Sequence, residues 1–211
     1  MDKIRIILIE DDPDWITSIS MFLEFEQDIN IIAVAQNYKA AIETCIKNDA
    51  DVILMDINLS GNDDFDGIYA TAEILYHKQI KIIMLTSILN DTIIKSAYSA
   101  GAVNYVLKTD YKLISSVIRK TVRGNNPNEI LAKDYLRLRM KEILSPLTTT
   151  EKKIFLFLDE GKTKKEILDI LFISENTLKN HINRILKKLE SPTINIALEK
   201  YRRKGFYRSS L

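Results

Sequence analysis

One cysteine, Cys45, stands in 211 residues, so neither an internal disulfide framework nor a cysteine-built zinc site can form, and a reducing compartment is expected. Its spacing from Ala41 fits a helix core rather than a reactive thiol. Long hydrophobic runs are equally scarce. The longest apolar stretches hold five to six residues, far short of the about 20 that span a bilayer, and no apolar leader precedes the first of them. The expected location is the cytoplasm, with no membrane partner. Internal repeats and low-complexity tracts are missing too, while 46% of residues are hydrophobic, which suits one or two ordinary globular domains.

Net charge is almost absent, at +1, but it is unevenly spread. Residues 1–124 carry 12 Lys and Arg against 18 Asp and Glu, and residues 125–211 carry 18 against 11, giving −6 and +7. A basic half on a neutral chain is the electrostatic footprint of nucleic-acid binding, whereas the acidic half would be repelled by phosphate. Solvated surface lysines would give the same count, so charge alone leaves both readings open.

In the acidic half, continuous apolar runs alternate with amphipathic stretches. Strands are predicted over 4–9, 29–35, 52–56, 80–86 and 104–106. Helices are predicted to start near Pro13, Tyr38, Asp66, Asp91 and Tyr111, with Pro13 in a first turn and Asp12, Asp66 and Asp91 as caps. The fold class that follows is α/β, a doubly wound five-stranded parallel sheet with helices on both faces, over residues 1–123. The breakers Gly124, Asn125, Asn126 and Pro127 open a partly helical linker over 124–146. Within it Ile130, Leu131, Tyr135, Leu138 and Ile143 fall near one helical face, which fits a connecting helix or a dimer surface.

From Leu147 onward the pattern is wholly helical. Thr148 with Glu151 and Thr163 with Glu166 fit capping boxes, Ser174 opens a further helix that ends before Pro192, and a last helix over 195–204 would close at Gly205. A small all-α domain of four helices is therefore predicted over 147–211.

Carboxylates gather where strands stop. Glu10, Asp11 and Asp12 follow the first apolar run and Asp56 ends the third. In an open parallel sheet the ligand crevice lies beyond the carboxyl ends of the strands, so these groups point at a site, and that many negative charges need a cation.

Glu10-Asp11, Asp56, Thr86, Tyr105 and Lys108 arrive at successive strand ends, and Thr148, Glu151, Gly161, Ile167, Ser174, Thr177, His181, Ile182 and Leu189 follow in the basic half. With these residues the chain resembles, over nearly its whole length, a bacterial two-component response regulator of the NarL/FixJ family. Such proteins join a flavodoxin-like receiver to a LuxR-type helix-turn-helix domain.

The resemblance implies Asp56 as phospho-acceptor for a sensor histidine kinase. An aspartate acts as nucleophile toward a phosphoryl group only if the added charge is neutralised, and Mg2+ with oxygen ligands does this. Asp11, Asp56 and the backbone carbonyl of Asn58 would hold the ion, with Glu10 beside it or acting through water. Lys108 and Thr86 would bind phosphoryl oxygens, both only after phosphorylation. Thr86 and Tyr105 form the switch that the resemblance implies, the aromatic moving into space that Thr86 vacates. Without the constellation, Thr86 reads as a strand-end hydroxyl bonded to backbone and Tyr105 as a half-buried strand aromatic.

In the second domain, Leu178, Ile182, Ile185 and Leu189 give the apolar stripe that seats a recognition helix. Lys179, Asn180, Asn183, Arg184 and Lys187 occupy its other face, and Ser174 and Thr177 its start. Thr177, Lys179, Asn180 and Asn183 are expected near double-stranded DNA, with Arg184 and Lys187 mainly on phosphate. His181 reads as a packing or phosphate-contacting residue and His77 as helix-end surface. RNA polymerase and a second copy of the chain are the further expected partners, the homodimer placing two helices on paired half-sites. Beyond catalysing its own phosphorylation and dephosphorylation, the chain is not expected to be an enzyme.

Some features depart from the family pattern. The loop after Asp56 is long, with Ser60 where proline is common and with Asp63, Asp64 and Asp66 as added acids, and Asn104 stands where glycine often precedes the switch aromatic. Two other functions stay open: a phosphorylation-independent DNA-binding regulator whose receiver is an interaction module, and a haloacid-dehalogenase-like phosphatase. The latter needs a general acid two residues after the nucleophile, where this chain has Asn58.

Overall fold

The computed structural model describes residues 3–59, 65–124 and 127–204, which form two compact units, one ending at Arg137 and the other beginning at Leu138. Ser60, Asp63, Asp64 and Gly205 lie outside the described residues.

In the first unit β1 (Ile4–Ile9), β2 (Ile29–Ala35), β3 (Val52–Asp56), β4 (Lys81–Thr86) and β5 (Asn104–Leu107) alternate with α1 (Pro13–Glu24), α2 (Tyr38–Lys47), α3 (Asp66–His77), α4 (Asp91–Ala100) and α5 (Ile114–Arg123). The sheet is parallel throughout, in the order β2-β1-β3-β4-β5. Crossover helices cover both faces, which is why β3 is buried at every residue and why its sequence reads as an unbroken apolar run. The strand order reverses between β1 and β3, so the crevice of this fold opens where Glu10, Asp11 and Asp56 stand. Cys45 is buried in α2, and burial pushes its thiol up to about 12, as a core residue requires.

The caps show how local chemistry places these helices. Asp12 accepts from the amides of Asp14 and Trp15 (2.9 and 3.3 Å), with Pro13 as the first helical residue. Asp66 and Asp91 do not cap, contrary to expectation. Phe65 precedes α3 in the left-handed region (φ 84°), so Asp66 becomes the first helical residue and is buried rather than a solvated loop acid. Ahead of α4, Asn90 takes the amides of Thr92 and Ile93, and Asp91 falls one residue inside the helix, where its charge still favours the N-terminus. The fifth helix also starts later than Tyr111, because a 3-10 turn over Lys108–Leu113 intervenes and Asp110 leaves helical geometry (φ −98°, ψ 28°).

Helix α6 (Pro127–Ile143) begins in the first unit and ends in the second. Near its start the buried Glu129 accepts from Lys81 at 3.1 Å, and Lys81 also donates to the Thr121 carbonyl at 2.6 Å. Among the described residues no helix is long and apolar enough to cross a membrane.

The second unit holds α7 (Thr149–Asp159), α8 (Lys164–Leu171), α9 (Glu175–Lys188) and α10 (Ile194–Arg202) around Ile154, Phe155, Ile167, Leu178 and Ile185. Both expected capping boxes are formed. Glu151 is the more constrained: it accepts from the Thr148 amide at 2.8 Å and from the Lys188 ammonium at 2.7 Å while nearly fully buried. Burial resists its ionisation, but Lys188 and Thr148 outweigh that and hold the carboxyl at about 2. Because the folded value lies below the ordinary 4.5, this stabilisation is complete above pH 4.5 and is lost as pH falls toward about 2. Calorimetry across that range should show the second unit losing stability more steeply in the wild type than in Glu151→Gln; equal slopes would deny the linkage.

Candidate functional site

Three strand ends build the first site. β1 delivers Glu10 and Asp11, β3 delivers Asp56, and Lys108 follows β5. Glu10 is 0% exposed and Asp56 6%, and Glu10, Asp11 and Asp56 each offer an oxygen within 4.8 Å of the others. The Lys108 ammonium lies between them, at 2.7 and 2.8 Å from the two Glu10 oxygens and 2.9 Å from Asp56 Oδ2. The other Asp56 oxygen accepts from the Ile57 amide at 2.7 Å.

Burial raises the Glu10 carboxyl to about 7; the Lys108 hydrogen bond opposes the rise and the Asp56 charge adds to it. Burial raises Asp56 as well, against the pull of Lys108 and the Ile57 amide. Burial disfavours the Lys108 charge, yet its bonds to both carboxylates outweigh that and raise its pKa. Two carboxyls with raised values share one half-buried ammonium, unlike an exposed surface ion pair.

The Lys108 ammonium compensates two buried carboxylates that would otherwise face each other unpaired. Thr86 is 1% exposed, and its hydroxyl oxygen accepts from the Ile88 amide at 3.2 Å, the backbone-bonded arrangement. The Tyr105 hydroxyl donates to the Ile88 carbonyl at 2.5 Å, so both residues of the expected switch hold one loop residue. Asn104 is buried, and its side chain accepts from the Tyr105 amide at 2.9 Å. Asn58 is exposed, and its side-chain oxygen accepts from the Phe65 amide at 3.3 Å.

Two residues at this site escaped the sequence reading. A Cβ built on Gly67 would stand 1.8 Å from the Asp56 carbonyl oxygen, so only glycine lets α3 approach the end of β3. Its signal was a glycine that closes the acidic loop. Trp15 brings its ring to 5.4 Å from the Lys108 ammonium, and its signal was being the sole tryptophan beside the acid pair.

The second site lies on α9. Ser174 caps it, its hydroxyl accepting from the Thr177 amide at 3.2 Å and lying 2.9 Å from the Thr177 hydroxyl, so both side chains serve the helix start. Leu178 and Ile185 are buried, with Ile182 and Leu189 packed beside them. Lys179, Asn180, Asn183, Arg184 and Lys187 are exposed together on the opposite face. Between α8 and α9 runs an open groove of about 960 Å³, lined by Lys164, Lys165, Glu175, Lys179 and Asn183 among others. Lys164 and Lys165 reach this groove from the preceding helix. His181 is half-buried, and its Nδ1 has no hydrogen-bond partner among the described residues; His77 ends α3 and pairs with Glu73 at 3.1 Å.

A parallel sheet with three acids and a lysine at its switch point, followed by a capped helix with an exposed basic and amide face, defines a two-part regulator. Residues 6–119 match the family described as the response regulator receiver domain, and residues 145–195 match the bacterial regulatory proteins of the luxR family. The chain is 36% identical over 194 residues to the response regulator protein VraR of Staphylococcus aureus strain NCTC 8325, covering 89% of this chain and 90% of that one. VraR of strain Mu3 is 35% identical over the same span. Among solved structures, the Salmonella typhimurium RcsB response regulator superposes with TM-score 0.52 at 22% identity, covering 97% of this chain and 99% of that one. A LuxR-family two-component response regulator from Aurantimonas gives 0.55 at 23%, over 65% and 99% of the chains. At these identities the structures speak for the fold alone. The chain belongs to the response regulators, with a receiver domain followed by a LuxR-type DNA-binding domain. That membership implies a histidine kinase as partner of the receiver and DNA as partner of the second domain.

Proposed function

We propose that a sensor histidine kinase, or a small phosphodonor with the chain as its own catalyst, phosphorylates Asp56, and that this changes dimerisation and sequence-specific DNA binding to regulate transcription. The receiver would occupy residues 1–123, the linker 124–146 and the DNA-binding domain 147–211. The observation that carries this reading is the Lys108 ammonium shared by the buried Glu10 and Asp56, with Asp11 alongside.

If ionised, the three carboxylates exceed the one ammonium by two charges, the deficit that a divalent cation fills. Hard oxygen donors suit Mg2+, and Asp11, Asp56 and the Asn58 carbonyl would hold it, with Glu10 nearby or through water. When bound, the ion supplies neutralisation of the incoming phosphoryl charge. The chain's own residues do the rest. Asp56 Oδ2 accepts from Lys108, while its other oxygen is tied to the Ile57 amide. Lys108 would transfer its bonds to phosphoryl oxygens, and the Thr86 hydroxyl would turn from Ile88 to donate to one, which frees the loop that Tyr105 also grips. A bond made only in the modified state biases that loop's equilibrium.

Thr177, Lys179, Asn180 and Asn183 would lie near DNA, with Ser174 and Thr177 in reach of the backbone and Arg184 and Lys187 mainly on phosphates. Replacing Arg184 and Lys187 together by alanine should weaken binding to all sequences and flatten the salt dependence by roughly one unit of slope per lost phosphate contact. Asn183→Ala should change which sequence is preferred. A slope unchanged by the double replacement would move the interface elsewhere. Dimerisation follows from the two-fold logic of helix-turn-helix binding, and RNA polymerase is the further partner that a transcription regulator in the cytoplasm would meet. Selecting bound fragments from random DNA with and without acetyl phosphate tests the whole reading. Enrichment that depends on phosphodonor supports the switch, and identical enrichment in both arms favours a phosphorylation-independent regulator.

A further inference from the structure

Resting on the phosphorylation of Asp56, we infer that Trp15 is a positioning residue that holds the Lys108 ammonium over the acid pocket while it exchanges carboxylate partners for phosphoryl oxygens.

The placement starts with the α1 cap. Asp12 fixes the amides of Asp14 and Trp15, and Pro13 sets the first helical residue, so the Trp15 backbone is determined within the first turn. The ring packs half-buried against the core formed by β1, β3, β4 and the sheet-facing residues of α1 and α5. Its Nε1 is buried and has no hydrogen-bond partner among the described residues. The face of the ring has the Lys108 ammonium 5.4 Å from its centroid. This is within cation–π range, and indole is the strongest aromatic partner for a cation.

The ammonium is thus bounded by Glu10, by Asp56 and by the indole, with the lysine side chain only 14% exposed. Phosphorylation changes one of the three, Asp56. An Asp56 oxygen attacks the phosphorus of acetyl phosphate, the bond from phosphorus to the acetate oxygen breaks, and acetate leaves with the electron pair; no proton moves. The Asp56 charge is then carried further out, on phosphoryl oxygens, and Lys108 must follow it. Hydrogen bonds to Glu10 and Asp56 are directional and must break for that move. The attraction of the indole face falls off gradually with position, so it retains the ammonium along the way.

Because Trp15 is the sole tryptophan, its emission reports on Lys108 directly. In the full-length chain without phosphodonor, Lys108→Met should shift the emission maximum by several nanometres. With acetyl phosphate and Mg2+, intact-mass measurement should find the wild type phosphorylated, Trp15→Leu slower by about fivefold, and Trp15→Phe restored to within about twofold of wild type, at matched thermal midpoints. Emission indifferent to Lys108→Met, a Leu variant as fast as wild type, or Phe and Leu equally slow would each overturn the role, the last by reducing Trp15 to bulk. Those results with the wild type still phosphorylated leave the function intact and remove only Trp15's part in it. An unphosphorylated wild type removes both.

Discussion

Gly67→Ala is expected to destabilise the first unit by about 3 kcal/mol or more and to abolish phosphorylation of Asp56, although no chemical group of the pocket is touched. The added methyl would sit 1.8 Å from the Asp56 carbonyl oxygen, and backbone, unlike the end of a flexible side chain, cannot swing aside. Overpacking of this kind costs about 1–3 kcal/mol when the surroundings can adjust, and more when they cannot. The Gly67 amide also donates to the Ile57 carbonyl at 2.8 Å, so moving α3 away breaks the bond that joins it to the residue after Asp56. Thermal melting and acetyl phosphate labelling of the variant test this together. A midpoint and labelling rate equal to wild type would show that α3 can retreat freely.

The second large effect is expected from Phe155→Ala. Phe155 is fully buried between the helices of the second unit and meets Tyr201 edge-on, with ring centroids 5.4 Å apart. Truncating a buried phenylalanine costs about 3–5 kcal/mol through lost transfer energy and the cavity left behind, a large part of what a small helical domain possesses. Since the apolar stripe of α9 packs in the same cluster, DNA binding should be lost with the fold of that unit. Asp56 should still be phosphorylated, because its pocket draws on elements of the first unit alone. Loss of labelling in this variant would mean that the two units do not fold independently.

Much of this architecture was legible in the residues because local and global signals agree. The five apolar runs end within a residue or so of the observed strands, and Thr148 with Glu151 announced a helix start that the structure forms. The errors came where one short polar residue stood beside another of equal aptitude. Asn90 and Asp91 can both cap a helix, and only the backbone path decides between them. Asp66 failed for a different reason: the turn at Phe65 adopts a left-handed conformation that no pattern of apolar residues reveals.

Which residues meet was likewise more legible than how they bond. The order of Glu10, Asp11, Asp56, Thr86 and Lys108 along the chain pointed to residues that the fold brings to neighbouring strand ends, but not to the bonds they make there. That Lys108 bonds both Glu10 and Asp56 depends on distances across strands far apart in sequence, whereas the Thr86 oxygen accepts from the Ile88 amide only two residues on, the backbone bond that a strand-end hydroxyl suggests by itself. Gly67 and Trp15 were missed because their roles consist of a close approach and a ring orientation, which spacing does not encode.

The most direct test is the intact mass of the full-length chain incubated with acetyl phosphate, with and without Mg2+, followed by peptide mapping and repeated on Asp56→Asn. One added phosphoryl group, dependent on the metal ion, mapped to Asp56 and missing from Asp56→Asn, is the expected result. Labelling of Asp56→Asn equal to that of the wild type would contradict the assignment of the pocket and of the signal it receives.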